Sequence, residues 1–199
     1  MCIIVHMKLF ITRHGETQEN KAGILQGHMP GRLSAEGIEQ AKALGKRLKN
    51  EHFDFIYASD LARAVDTAKE ITCYHQNTPF FLTEELRERD LGEFQGKNKH
   101  DLQVTSVLDV EPEHGESKVE FFARARNFLN SIQQKHDSDI VLLICHGGIS
   151  AAIIANIFGK NYTEMLKMEK LGNTSLSIFD LHKDGSYKLL SYNSTDHLN

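Results

Sequence analysis

Two histidines close two apolar runs in this 199-residue chain. Leu9-Phe10-Ile11 leads into Thr12-Arg13-His14-Gly15, and Val141-Leu142-Leu143-Ile144 leads into Cys145-His146-Gly147-Gly148. Such runs form buried strands, and ligands of open α/β sheets bind at the carboxyl ends of the strands. Arg13, His14 and His146 would then converge on one edge. Arg63 follows a third run, Phe53 to Ala58, in a helix that starts at the same edge. Helix N-termini favour anions. A fourth run, Phe80 to Leu82, is followed by the cluster Glu84, Glu85, Arg87, Glu88, Arg89 and Asp90. Two histidines, two arginines and one carboxylate can thus share a pocket.

That set suits phosphoryl transfer. The transferred group spreads negative charge over three oxygens, so fixed cations do most of the work. Arginine offers a planar fork that binds two oxygens at once. A histidine that is neutral near pH 7 is a competent nucleophile. A carboxylic acid can protonate the departing oxygen and later take a proton from water. Other phosphate chemistries lack their signatures. There is no GxxxxGK[ST] run. Cys145 has no arginine within the next dozen residues, as a thiolate phosphatase loop would need, and reads as a buried strand residue. No serine lies in GxSxG, and His6, His28, His75 and His100 lack metal-ligand spacing. No metal and no cofactor is expected.

Composition sets the outer bounds. Hydrophobic residues make up 40% and charged residues 25%, enough for both a core and a soluble surface. A net charge of −4 argues against a nucleic-acid or membrane partner, because such binders usually carry a basic excess. Three widely spaced cysteines, Cys2, Cys73 and Cys145, form no disulfide framework and suit a reducing, cytoplasmic setting. Met1 to Val5 is too short for a signal sequence, and no run reaches a membrane span.

The elements that would position these groups alternate between strand and helix. Ser34 caps a helix carrying Ile38, Ala41, Leu44 and Leu48. Ser59-Asp60 looks like a cap pair for a helix carrying Leu61, Ala64, Val65, Ala68, Ile71 and Thr72 on one stripe. Ser117 and Glu120 form a capping box ahead of Phe121, Ala125, Phe128, Leu129 and Ile132. Ile149 to Phe158 is an apolar, buried helix, and Asp184-Gly185 turns a terminal hairpin. The prediction is an α/β three-layer sandwich with a central, mostly parallel sheet flanked by helices. Lys97 to Glu116 is weakly patterned and reads as a partly helical flap, while Met29-Pro30-Gly31-Arg32 reads as a loop. Both are expected to set specificity.

The blocks Arg13-His14-Gly15-Glu16-Thr17 with Asn20, Gln26-Gly27-His28, and Leu33-Ser34-Ala35-Glu36-Gly37 stand in the order of a known family. So do Ser59-Asp60-Leu61-Ala62-Arg63-Ala64, Leu86-Arg87-Glu88-Arg89, Gly115-Glu116-Ser117 and Cys145-His146-Gly147-Gly148. Together they resemble the histidine phosphatase superfamily, the phosphoglycerate mutase-like fold, over nearly the whole chain. The resemblance implies a single domain over 1–199 with a flap at about 97–116. It implies His14 as a nucleophile forming phosphohistidine, and Arg13, Arg63 and His146 as holders of the phosphoryl oxygens. It implies Glu88 as acid and then base, Asn20 as a phosphate contact, and Gln26 and Gly27 at the entrance. Glu84 and Glu85 are rival carboxylates on the residues alone; the motif register selects Glu88.

Relatives commonly carry an acidic residue near the position of Pro30, which this chain lacks. The segment from 89 to 145 is short for the family, whose glycolytic mutases carry a longer insertion that shields the phosphoenzyme. A wetter phosphohistidine favours hydrolysis. The expected activity is therefore a metal-independent phosphatase of small phosphorylated metabolites such as sugar phosphates or phosphoglycerates. A cofactor-dependent phosphoglycerate mutase and a non-catalytic module on the same fold are the alternatives.

Overall fold

The computed structural model describes residues 6–199. Met1 to Val5, including Cys2, lie outside the described residues. Among the described residues, six strands form one sheet in the order β3-β2-β4-β1-β5-β6. They are β1 (His6–Arg13), β2 (Phe55–Ser59), β3 (Phe80–Thr83), β4 (Ile140–Cys145), β5 (Leu176–His182) and β6 (Tyr187–Ser194). The first four pair in parallel, and β5 and β6 add an antiparallel hairpin on the β1 side.

Side chains alternate across a strand, so each central strand feeds two cores. Leu9, Ile11, Val141, Leu143 and Tyr57 enter the core under α4 (Lys118–Lys135) and α5 (Gly147–Ile157). Phe10, Leu142, Ile144, Ile56 and Ala58 enter the core under α2 (Ala35–Leu48) and α3 (Ala62–Thr72). The three-layer α/β sandwich is thus the observed architecture. The continuous apolar run of β4 is buried on both faces, as in parallel sheets generally.

Capping follows the sequence at two helices and departs from it at a third. Ser34 accepts from the Gly37 amide, and Ser117 and Glu120 satisfy each other's backbone donors. The α3 helix instead starts after Leu61, with no side-chain cap. Ser59 Oγ meets His146, and the Asp60 carboxylate takes the Arg87 guanidinium. Ser59 is drawn into the strand-end cluster, and Asp60 into an ion pair with Arg87 outside it.

The flap contains no helix: residues 97–116 are turns and bends. Tertiary bonds hold it instead. Tyr162 Oη donates to the Leu108 carbonyl at 2.9 Å, and Lys170 Nζ donates to the Thr105 carbonyl at 3.2 Å.

Candidate active site

Register brings the strand ends together. Arg13 pairs with Cys145 across β1 and β4, so His14 and His146 leave their strands side by side. Their ring centroids are 5.1 Å apart in an edge-to-face arrangement. Ser59 ends β2 opposite Thr83 and one step beyond the Ala58–Ile144 pair. The four parallel strands therefore finish in one row.

His14 is buried, and its Nδ1 lies 2.7 Å from the Gly15 carbonyl. A carbonyl only accepts, so Nδ1 carries the proton and Nε2 keeps its lone pair. Burial first, then the positive fields of Arg63 and Arg13, drive the imidazole pKa well below its ordinary value, against the bond to Gly15. The Gly15 amide donates to Thr67 Oγ1 at 3.0 Å, and the Thr67 hydroxyl donates to the Arg63 carbonyl at 2.8 Å. Asn173 Nδ2 donates to the His14 carbonyl at 3.0 Å. The histidine is thus pinned from α3 and from the turn before β5.

Arg63 is 1% exposed. Nε donates to His146 Nδ1 (3.1 Å), Nη1 to the Met29 carbonyl (2.6 Å) and Nη2 to the Gly27 carbonyl (2.7 Å). A guanidinium has five N–H donors, so two remain for an anion. Burial pulls its pKa down to about 10, still cationic at neutral pH, and Glu88 opposes that shift. Arg13 donates from Nη1 to the Leu171 carbonyl at 2.8 Å, while its buried Nε has no protein partner. An orphaned buried donor on a cation is a place for an acceptor.

Glu88 is also buried. Its Oε1 accepts from the Arg89 amide at 3.1 Å and its Oε2 from the Gly148 amide at 2.9 Å, in the first turn of α5. A Cβ at position 148 would fall 2.4 Å from Glu88 Oε1, so any side chain there would displace the carboxylate. Each carboxylate oxygen keeps a second lone pair for a proton or a water. Glu84 and Glu85 lie on a different, outward depression, so the motif register picked the carboxylate that enters the cluster.

Arg13, His14, Asn20, Gln26, Gly27, Arg63 and Glu88 line one cavity of about 200 Å³. Asn20 uses its Oδ1 to close a capping box with Thr17, and Gln26 Nε2 donates to Thr17 Oγ1 at 2.9 Å. His146 is not on the cavity wall. Both its ring nitrogens are bonded within the protein, Nδ1 to Arg63 and Nε2 to Ser59 Oγ at 2.9 Å. An anion would reach Nδ1 only in place of the Arg63 Nε.

The outer wall departs from the sequence reading. Thr105 to Asp109 of the flap and Lys99 line it, as expected of the flap. Met29-Pro30-Gly31-Arg32 does not; it lines an outward depression beside α3 and reaches the site from behind, through the Met29 carbonyl on Arg63 and through Gly31 against Gln26 Oε1. Its place is taken by Met165, Leu166, Met168, Glu169, Lys170 and Leu171, in and after α6 (Tyr162–Met165). The signal for α6 is a capping box of Asn161 with Glu164.

The sequence model of the histidine phosphatase superfamily (branch 1) matches residues 9–195. A metal-independent phosphoserine phosphatase of Arabidopsis thaliana is 32% identical over 205 residues, covering 96% of this chain and 83% of that protein. A phosphoglycerate mutase of Schizosaccharomyces pombe is 31% identical, covering 90% and 92%. A phosphoserine phosphatase mutant of Entamoeba histolytica, solved with phosphoserine, superposes with a TM-score of 0.83 at 28% identity, covering 97% and 100%. A match that runs over nearly all of the chain, to phosphatases in sequence and in fold, shows that it belongs to branch 1 of the histidine phosphatase superfamily and is a phosphoric monoester hydrolase.

Proposed function

We propose that the chain hydrolyses phosphate monoesters of small metabolites through a phosphohistidine on His14, without a metal. The carrying observation is the Nδ1 bond of His14 to the Gly15 carbonyl, which leaves Nε2 unprotonated beside two arginines. Nε2 attacks phosphorus, and the bond from phosphorus to the ester oxygen breaks. The electron pair leaves with that oxygen, which takes a proton from Glu88. Water then attacks the phosphohistidine while Glu88 accepts its proton. The P–N bond breaks, and phosphate leaves with His14 neutral again.

The free N–H groups of Arg63 and the orphaned Nε of Arg13 supply the positive charge that a metal supplies elsewhere. When the Arg63 Nε turns to the phosphate, His146 Nδ1 is freed to take up a proton and donate it to a phosphoryl oxygen, and Asn20 Nδ2 donates to another. Gln26 and Gly27 frame the entrance. The cavity volume suits a small ester such as a sugar phosphate, phosphoglycerate or phosphoserine. The flap at 97–116 belongs to the same single domain as the strand ends.

The test is hydrolysis of p-nitrophenyl phosphate with a chelator present, by the parent and by His14→Ala. Parent activity should survive the chelator and vanish in the variant. Activity that persists in His14→Ala overturns the mechanism.

A further inference from the structure

Glu88 sits in an irregular stretch, between a 3-10 turn at Glu84–Leu86 and another at Gly92–Phe94. No strand or helix ladder holds its main chain. Two side chains outside the cavity do that work, Arg124 with most of the bonds and His28 with one. Arg124, on α4, donates from Nη1 to the carbonyls of Glu85 (2.6 Å) and Arg87 (3.0 Å). Its Nη2 donates to the Glu88 carbonyl (3.3 Å) and to Glu116 Oε2 (2.8 Å), and its Nε donates to Glu116 Oε1 (2.7 Å). All five donors of the guanidinium are spent. Three go to the main chain at or just before the acid, and two form a fork on one carboxylate.

Glu116 is itself tied to the acid's neighbour: the fully buried Arg89 donates from Nε to the Glu116 carbonyl at 2.8 Å. The Arg124 and Glu116 side chains are mostly buried, at 18% and 16% exposure, where such a fork is screened less than on the surface. His28 Nε2 also donates to the Glu88 carbonyl, at 2.9 Å. The carboxylate end is fixed separately by the Gly148 amide.

We infer that Arg124, clamped by Glu116, is a positioning residue that aims Glu88 at the ester oxygen. The inference rests on Glu88 as the proton donor proposed above. A proton donor must lie within hydrogen-bond reach of the leaving oxygen, and a small misplacement sacrifices much of its contribution. The clamp also explains the Gly115-Glu116-Ser117 block. Ser117 caps α4, and Glu116 braces the arginine two turns along the same helix.

The experiment uses a series of substituted phenyl phosphates from p-nitrophenyl to phenyl phosphate, with kcat/KM as the readout. That ratio reports steps up to departure of the phenol. A good leaving group needs little protonation and a poor one needs much. Arg124→Gln and Glu116→Gln should lose about tenfold more kcat/KM on phenyl than on p-nitrophenyl phosphate, a fraction of what a general acid contributes. Inhibition by inorganic phosphate should be unchanged, because Arg13 and Arg63 are untouched.

An equal loss across the series, or none, overturns the positioning role, because a merely structural contact would not change the slope. Arg124→Lys keeps the charge without the fork and should fall between parent and Arg124→Gln. Unfolding of all three variants in thermal denaturation would make the clamp structural and overturn the inference. Glu88→Gln is the control: a flat response in that variant removes Glu88 as the acid and is told apart from a failure at Arg124.

Discussion

Arg63 and His146, eighty-three residues apart in sequence, share a hydrogen bond from Nε to Nδ1 at 3.1 Å. The bond fixes the His146 tautomer: Nδ1 accepts, so Nε2 carries the proton and donates to Ser59 Oγ. It also fixes the plane of the guanidinium, whose other two nitrogens rest on the Gly27 and Met29 carbonyls.

Arg63→Lys should therefore lower kcat/KM for p-nitrophenyl phosphate by about 10²- to 10³-fold. An ammonium keeps the charge but cannot hold two carbonyls, a ring nitrogen and a phosphoryl oxygen together. Steady-state kinetics measure the loss. A variant within threefold of the parent would show that the fork is not needed.

Acid should destabilise the fold through its buried histidines. His14 and His146 both have pKa values well below 6.5, owing first to burial and then to Arg63. Above about pH 6.5 both folded and unfolded chains hold them neutral, and the shift has no effect on stability. As pH falls below that value the unfolded chain binds protons that the folded chain refuses. Stability then drops by up to about 1.4 kcal/mol per pH unit for each histidine. Urea unfolding at pH 7, 6 and 5 should show this slope, and His14→Ala should make it shallower.

Gly148→Ala should uncouple activity from folding. The new Cβ would meet Glu88 Oε1 at 2.4 Å and push the carboxylate from its seat on α5. The expected stability cost is small, because the atom that must move is the far end of a flexible side chain. The expected loss in kcat/KM on phenyl phosphate is tenfold or more. Chemical denaturation and kinetics on the same preparation separate the two.

Glu88→Gln should trap the intermediate. With p-nitrophenyl phosphate the leaving group needs little help, so His14 is still phosphorylated, but water lacks its base. A rapid burst of one nitrophenol per active site should precede a slow steady rate, with acid-labile phosphate on the protein. A steady rate without a burst would place the base elsewhere.

The candidate site was legible in the sequence because it sits where regular elements stop. An apolar run that ends in Arg13-His14, or in Cys145-His146, announces both the strand and what it delivers. Parallel pairing then brings the deliveries together without any further information. Glu88 was harder, since three glutamates follow β3 and only motif register separated them. Its partners, the Gly148 amide and the Arg124 clamp, are long-range and have no local pattern.

The walls were legible only in part for the same reason. Thr105 to Asp109 owe their position to Tyr162, Lys170 and one another, not to any helical period. Met29 to Arg32 looked like a specificity loop because it is rich in turn residues, yet it faces away, its Met29 carbonyl held by Arg63. Ser59 and Asp60 looked like caps because their types are right for caps. A stronger claim from His146 and Arg87 redirected both.

The pairing of Arg13 with Cys145 has a consequence for how such a chain can change over generations. Side chains alternate with a period of two, so one residue gained or lost within β4 would turn His146 to the opposite face of the sheet. The flap takes no part in that pairing, and its length can change with the register of β1 against β4 kept. Change of substrate is thus easier through the flap than through the strand that delivers His146.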